Sequence, residues 1–167
     1  MFNNLLGRVL ANQTGGLSQP IEYPAGPAQN TSSGQAYLLD AINIGLQACP
    51  EQKYVILGYS QGASLVLEAS AKFSKDAMEA IKAVILVGNP YRFPGKKSNV
   101  DAQAQPDLRG TIGLFTTSAL GSGAPVPQLP ASLDESGKVL DYCLQVGCSP
   151  LLMRECCADL LMLLTPG

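Results

Sequence analysis

A chain of 167 residues suits one compact domain, and with 46% hydrophobic against only 14% charged residues it carries enough apolar side chains for a substantial core, which excludes a disordered chain. Eleven basic and thirteen acidic residues leave a net charge of −2 with no Lys/Arg block to neutralise a row of phosphates, so nucleic acid is not an expected partner. No apolar run reaches the roughly 20 residues that cross a bilayer, so no membrane span is expected either.

In chain order, residues 1–16 form a poorly defined N-terminal segment. Asn3, Asn4, Gly7, Arg8 and Asn12 interrupt any continuous apolar stretch, and no signal peptide is visible. Asn12-Gln13-Thr14 and Asn30-Thr31-Ser32 fit the N-glycosylation triplet, a pattern that arises often by chance and matters only for a secreted chain. Ser32 followed by Gln35 has capping-box spacing. Leu38, Leu39, Ile42 and Leu46 then repeat at a helical period, predicting a helix up to about Ala48 that ends near Cys49-Pro50. Tyr54 to Leu57 is short, β-rich and apolar without alternation, the pattern of a strand covered on both faces, with Gly58 ending it. Ala63, Val66, Leu67 and Ala71 predict a second helix over 61–73. Ala83 to Val87 is another apolar run, stopped by Gly88-Asn89-Pro90. Strand, helix and strand make a βαβ unit and imply an α/β fold with a mainly parallel sheet. From residue 90 to Pro130 the chain reads as loop-rich. Strands are expected at Ile112 to Thr116 and at Lys138 to Cys143, and a final helix at Leu151 to Leu164.

The five cysteines, at 49, 143, 148, 156 and 157, leave at least one thiol unpaired within a monomer. Cys143 and Cys148 are close enough to bridge a tight loop, whereas the adjacent Cys156 and Cys157 would join each other only under strain. The sequence points to no metal and no organic cofactor, and it carries no oligomer signal, so a monomer is the default.

Gly58-Tyr59-Ser60-Gln61-Gly62 matches G-x-S-x-G between the apolar strand and the second helix. A serine alcohol is a weak nucleophile and must be presented on a sharp turn to a base and a substrate. Glycines on both flanks let strand and helix approach closely. The helix N-terminus then offers partial positive charge to a developing oxyanion. The alternative is a plain glycine-rich βα turn, which has no need of a serine at its centre.

Around this motif stand Tyr23-Pro24-Ala25-Gly26 with Gln29-Asn30, then Cys49-Pro50, then Val87-Gly88-Asn89-Pro90, and finally Leu140-Asp141-Tyr142-Cys143. In this order and spacing, over roughly residues 15–148, the chain resembles cutinases and cutinase-like polyesterases. The resemblance implies a three-layer α/β/α sandwich over 17–148, a lidless Ser-His-Asp esterase, secretion, and ester substrates such as cutin, short acyl esters or acetylated polysaccharide. It assigns Ser60 as nucleophile and the Gln61 backbone N–H as oxyanion donor. The family's acid lies in a Gly-Asp pair between two cysteines, but Cys143 to Cys148 encloses no acid; Asp141 precedes the first cysteine and is not assigned the role. The family's base is a histidine, and these 167 residues contain none. The family's first oxyanion hydroxyl and the cysteine partner of Cys49 have no counterpart before Leu17, so Cys49 is expected to be an orphan thiol. Residues 149–167 form an atypical C-terminal helix or tail. The expectation is therefore a cutinase-type carboxylic-ester hydrolase altered or truncated at both ends. The alternative is an inactive relative that binds apolar esters or wall polymers.

Overall fold

The computed structural model describes residues 3–12 and 15–143. Within the segment for which the sequence predicts no element, Asn3–Asn12 form helix α1; Leu5, Leu6, Val9 and Leu10 recur there at helical spacing. An extended stretch and a turn lead to helix α2, Ser32–Ala48. Strand β1, Tyr54–Tyr59, is followed by helix α3, Gln61–Ser70, helix α4, Lys75–Ala80, and strand β2, Ile81–Val87. A long connection carries the two-residue strand β3, Asn99–Val100, helix α5, Leu114–Ser122, and the short helix α6, Ala131–Asp134, before strand β4, Val139–Tyr142. The expected helix at 151–164 lies outside the described residues. No helix among the described residues is long and apolar enough to cross a membrane.

The sheet has four strands in the order β1-β2-β4-β3, and every pairing is parallel, as the βαβ reading requires. Ile56, Val84, Leu86 and Val139 meet Ala63, Val66 and Leu67 of α3 and Leu38 and Ile42 of α2 in one apolar cluster. Val84 and Leu86 are sealed completely. Full coverage of both strand faces does not follow: Val55 remains 52% exposed and Leu57, Ala83 and Ile85 are only partly buried, because α2 and α3 pack over the alternate residues.

Four local expectations need correction. Gly58 does not end β1; the ladder continues with Gly58 opposite Leu86 and Tyr59 opposite Val87, since a glycine in extended backbone pairs like any residue. The capping box at Ser32 is not formed. Thr31 is the N-cap and makes no side-chain cap bond. Its hydroxyl donates instead to the Glu68 carboxylate. Gln35 Nε2 donates to Glu68 Oε2 at 2.7 Å and to Thr31 Oγ1 at 2.9 Å, and Lys72 Nζ donates to Gln35 Oε1 at 2.8 Å. Side chains that look like a local cap therefore tie α2 to α3. The second helix stops three residues early, at Ser70, where Lys72 and Phe73 turn back onto the Ala69 and Ser70 carbonyls. The strand expected at Ile112 to Thr116 is replaced by α5. Gly113 donates to the Arg92 carbonyl and Phe115 to the Pro90 carbonyl, both at 2.9 Å, and Thr116 is fully buried with its hydroxyl on the Arg92 carbonyl at 3.0 Å. Tertiary bonds to the 90–92 loop override the β-branched residues of this stretch.

Candidate active site

Parallel strands open their carboxyl ends along one edge, and ligands of open α/β sheets bind at that edge. Here the ends of three neighbouring strands stand side by side. Ser60 follows β1 and donates its N–H to Val87 at the end of β2, 2.9 Å away. Gly88 donates to Tyr142 at the end of β4, 3.0 Å away.

Ser60 itself adopts φ 51° and ψ −119°. An L-residue at positive φ outside the left-handed helical well carries strain of order 1–3 kcal/mol, and such strain persists only where the surroundings dictate it. Two constraints do so. The β1 ladder holds the chain up to Tyr59, and the Ser60 carbonyl accepts the N–H of Ala63 at 2.8 Å and of Ser64 at 3.2 Å, which starts α3 at once. The turn between strand and helix is thus one residue long. A Cβ on Gly58 would lie 2.7 Å from the Gly62 carbonyl oxygen and 2.9 Å from the Ala63 Cα, so only glycine permits this approach. Gly62 differs from the sequence reading: its nearest neighbour would be the Tyr23 hydroxyl at 3.8 Å, so the second glycine of the motif is not demanded by space.

Ser60 is half-buried, and its side chain makes no cap bond to α3. The Gln61 N–H, at the first helical position, lies before the first intrahelical bond and has no acceptor among the described residues. The Gln61 side chain is buried, with Oε1 accepting the Gly26 N–H at 3.0 Å. Tyr23 packs against this helix start, and burial pushes its hydroxyl pKa up.

The sequence reading missed a charged cluster beside this edge. Arg92 is completely buried and donates through Nη2 to Asp107 Oδ2 at 2.8 Å, through Nη1 to Asp141 Oδ1 at 3.0 Å and to the Asp141 carbonyl, and through Nε to Thr111 Oγ1 at 3.0 Å. Asn89 Nδ2 donates to Asp141 Oδ2 at 2.8 Å. Both carboxylate oxygens of Asp141 are therefore engaged. Burial pushes its pKa up, against the Arg92 charge and the Asn89 and Arg92 hydrogen bonds that pull it down. The sparseness of charge in this chain was the only sequence signal: arginines and aspartates scattered through an apolar, loop-rich stretch are candidates for mutual pairing.

Lys138 Nζ is bonded to the Met78 carbonyl and Lys72 Nζ to Gln35, so neither stands ready as a base for Ser60. Cys49 is exposed and free, as expected. Cys143 closes β4 and is buried; Cys148 lies outside the described residues.

The parallel sheet with flanking helices, and the serine on its strand-to-helix turn, define an α/β-hydrolase fold. The cutinase family profile matches residues 3–144, and the chain belongs to that family. It is 32% identical over 101 residues to cutinase 4 of Emericella nidulans, an alignment covering 58% of this chain and 44% of that protein. It is 25% identical over 112 residues to acetylxylan esterase 2 of Talaromyces purpureogenus, covering 53% and 48%. Among solved structures, a cutinase-like protein from Cryptococcus sp. matches with a TM-score of 0.72 and 33% identity, over 85% of this chain and 66% of that one. The chain spans less than half the length of these two curated relatives.

Proposed function

We propose that this chain is a carboxylic-ester hydrolase of the cutinase type in which Ser60 attacks the ester carbonyl and the Gln61 backbone N–H donates to the resulting oxyanion. The observation that carries this reading is the Ser60 backbone at φ 51°, held between a strand and a helix that begins one residue later. Attack forms a bond from Oγ to the carbonyl carbon and moves the carbonyl electrons onto oxygen. An amide at a helix start, free of intrahelical partners, is suited to receive that charge. Collapse of the tetrahedral adduct expels the alcohol and leaves an acyl-serine, which water then hydrolyses. The proton on Oγ passes to a base and returns from it to the leaving alcohol; these 167 residues contain no imidazole, so both transfers are assigned to a base supplied from outside them, for which added imidazole stands in below.

The substrates proposed are cutin, short acyl esters or acetylated polysaccharide; the acetylxylan esterase relative supports the last of these. Secretion fits the family, and with it a disulfide between Cys143 and Cys148. No cofactor and no metal is called for by the chemistry, and a monomer suffices for it. A second reading, a non-catalytic relative that binds apolar esters or wall polymers, is favoured by one observation, the absence of any histidine from the chain.

The two readings separate on hydrolysis of p-nitrophenyl butyrate by the purified chain and by Ser60→Ala, each with and without added imidazole as an external proton acceptor. The esterase reading expects a Ser60-dependent rate that rises with imidazole after the imidazole-only background is subtracted. Equal rates for the two proteins under both conditions reject Ser60 as a nucleophile, and binding of the ester without turnover then supports the second reading.

A further inference from the structure

A helix commonly begins on a side chain that folds back to accept an N–H of its own first turn, and serine is a preferred residue for this. Helix α3 begins on a serine that does not do so: Ser60 makes no cap bond, and its φ of 51° lies outside the β region that capping residues adopt. The peptide that needs the most accurate placement therefore starts a helix without the usual restraint.

The restraint comes from the next side chain. Gln61 is 8% exposed, and its Oε1 accepts the Gly26 N–H at 3.0 Å, across 35 positions of sequence. The carbonyl of Gly26 is held in turn by the Gln29 backbone N–H at 3.0 Å and by Gln29 Nε2 at 3.2 Å, with Gln29 at φ 52°. Ala25 donates to the Tyr23 carbonyl at 2.9 Å, and the Tyr23 ring packs so close to Gly34 of α2 that a Cβ there would sit 3.0 Å from it. Residues 23–29 thus form a bracket whose one end rests on the start of α2 and whose middle is pinned to the start of α3. The same Gln61 leaves Nε2 buried with no partner among the described residues. An orphan buried donor costs about 1–3 kcal/mol, so a side chain needed only to fill this space would be better as methionine. The Oε1 bond is what an amide provides here and methionine does not.

We propose that the Gln61 side chain is a positioning residue: through Gly26 it clamps the 23–29 bracket against α3 and thereby fixes the Gln61 peptide N–H beside Ser60. The inference rests on the reading of Ser60 as the nucleophile. Removing the acceptor with Gln61→Met, or only the donor with Gly26→Pro, breaks the same bond from its two ends. Space for a Gly26 Cβ is open within 4 Å, whereas the proline ring carbon on the nitrogen takes the place of the N–H and pushes Gln61 Oε1 away, which is the intended loss of the bond.

Two readouts test it. Amide hydrogen exchange measured across residues 23–30 should quicken by about tenfold in Gln61→Met, the value of one net hydrogen bond, while the β2 amides stay as in the wild type. In the imidazole-supported assay, the Ser60-dependent kcat should fall about tenfold in both Gln61→Met and Gly26→Pro with KM unchanged, as expected when only transition-state stabilisation is lost. Unchanged exchange in Gln61→Met overturns the clamp, and faster exchange with an unchanged kcat overturns its positioning role. A wild type without any Ser60-dependent rate refutes the nucleophile reading instead, and the exchange measurement still decides whether the clamp exists.

Discussion

Arg92 and Asp141 form a buried ion pair, Nη1 to Oδ1 at 3.0 Å, between side chains that are 0% and 4% exposed. The pair joins the loop after β2 to strand β4, and Asp107, in the segment after β3, extends it at 2.8 Å. Arg109, partly exposed, completes the cluster by donating to Asp107 Oδ1 at 2.6 Å. Two arginines face two aspartates, so the cluster is neutral as a whole, and most of the remaining donors and acceptors are taken by Thr111, Asn89 and the Asp141 carbonyl. Its structural consequence is that the connection over 89–111 is stapled across the carboxyl edge of the sheet, next to the strand ends that carry Ser60 and Gly88.

Arg92→Met is expected to unfold far more readily than the wild type. It leaves the buried Asp141 carboxylate without its cation and takes one of the two guanidinium partners from Asp107, and breaking a buried pair from one side costs about 3–5 kcal/mol. Arg92→Lys should recover only part of this, because one ammonium does not replace a guanidinium that reaches Asp107, Asp141 and Thr111 together. Urea denaturation gives the comparison directly; a loss below about 1 kcal/mol for Arg92→Met would show that the cluster contributes little.

Acid should attack the same cluster through Asp107. Burial pushes this carboxyl up, but hydrogen bonds from the Arg109 side chain and backbone and the charges of Arg109 and Arg92 outweigh it and hold the pKa at about 2, against an ordinary 3.8. A folded-state pKa below the unfolded one means stability that is fully present above about pH 4 and is lost as the pH falls through about 2. Measured between pH 4 and pH 2, the stability of the wild type should decline, and in Asp107→Asn this decline should be shallower whatever the starting stability. Equal slopes in the two proteins would place the acid sensitivity elsewhere.

The two glycines of the serine motif should respond differently to the same change. Gly58→Ala pushes a methyl group into the Gly62 carbonyl oxygen and the Ala63 backbone at 2.7–3.0 Å, all of it main chain that has no room to move without parting β1 from α3. Overpacking of this kind costs about 1–3 kcal/mol and should also displace Ser60. Gly62→Ala meets nothing nearer than 3.8 Å and sits in a helix, so it should be neutral or stabilise by roughly 0.5–1 kcal/mol. Thermal melts of the two variants side by side test this, and a Gly62→Ala variant as damaged as Gly58→Ala would contradict it.

Much of the fold was legible because it rests on short-range pattern. The apolar runs at 54–57 and 83–87, with a helical period between them, foretold β1, α3 and β2, and the segment at 138–143 foretold β4. The serine motif was legible for the same reason, since strand, turn and helix are contiguous there. Stretch 112–116 is a helix start and not a strand because hydrogen bonds to Pro90 and Arg92 outweigh the strand preference of Ile112, Phe115 and Thr116. Thr31, Ser32 and Gln35 were misread as a cap because their partner, Glu68, is 37 positions from Thr31.

What the sequence determined by itself was a parallel α/β core and a serine presented between a strand and a helix, since both follow from the spacing of neighbouring residues. Only the tertiary structure decided which flanking glycine is indispensable, that the Gln61 side chain reaches Gly26, and that Asp141 is bonded to Arg92 and Asn89. The first depends on how closely a strand and the helix after it approach, and the other two on atoms brought within about 3 Å from positions 35 to 52 residues apart; a hydrogen bond across such a distance leaves no periodic trace in the chain.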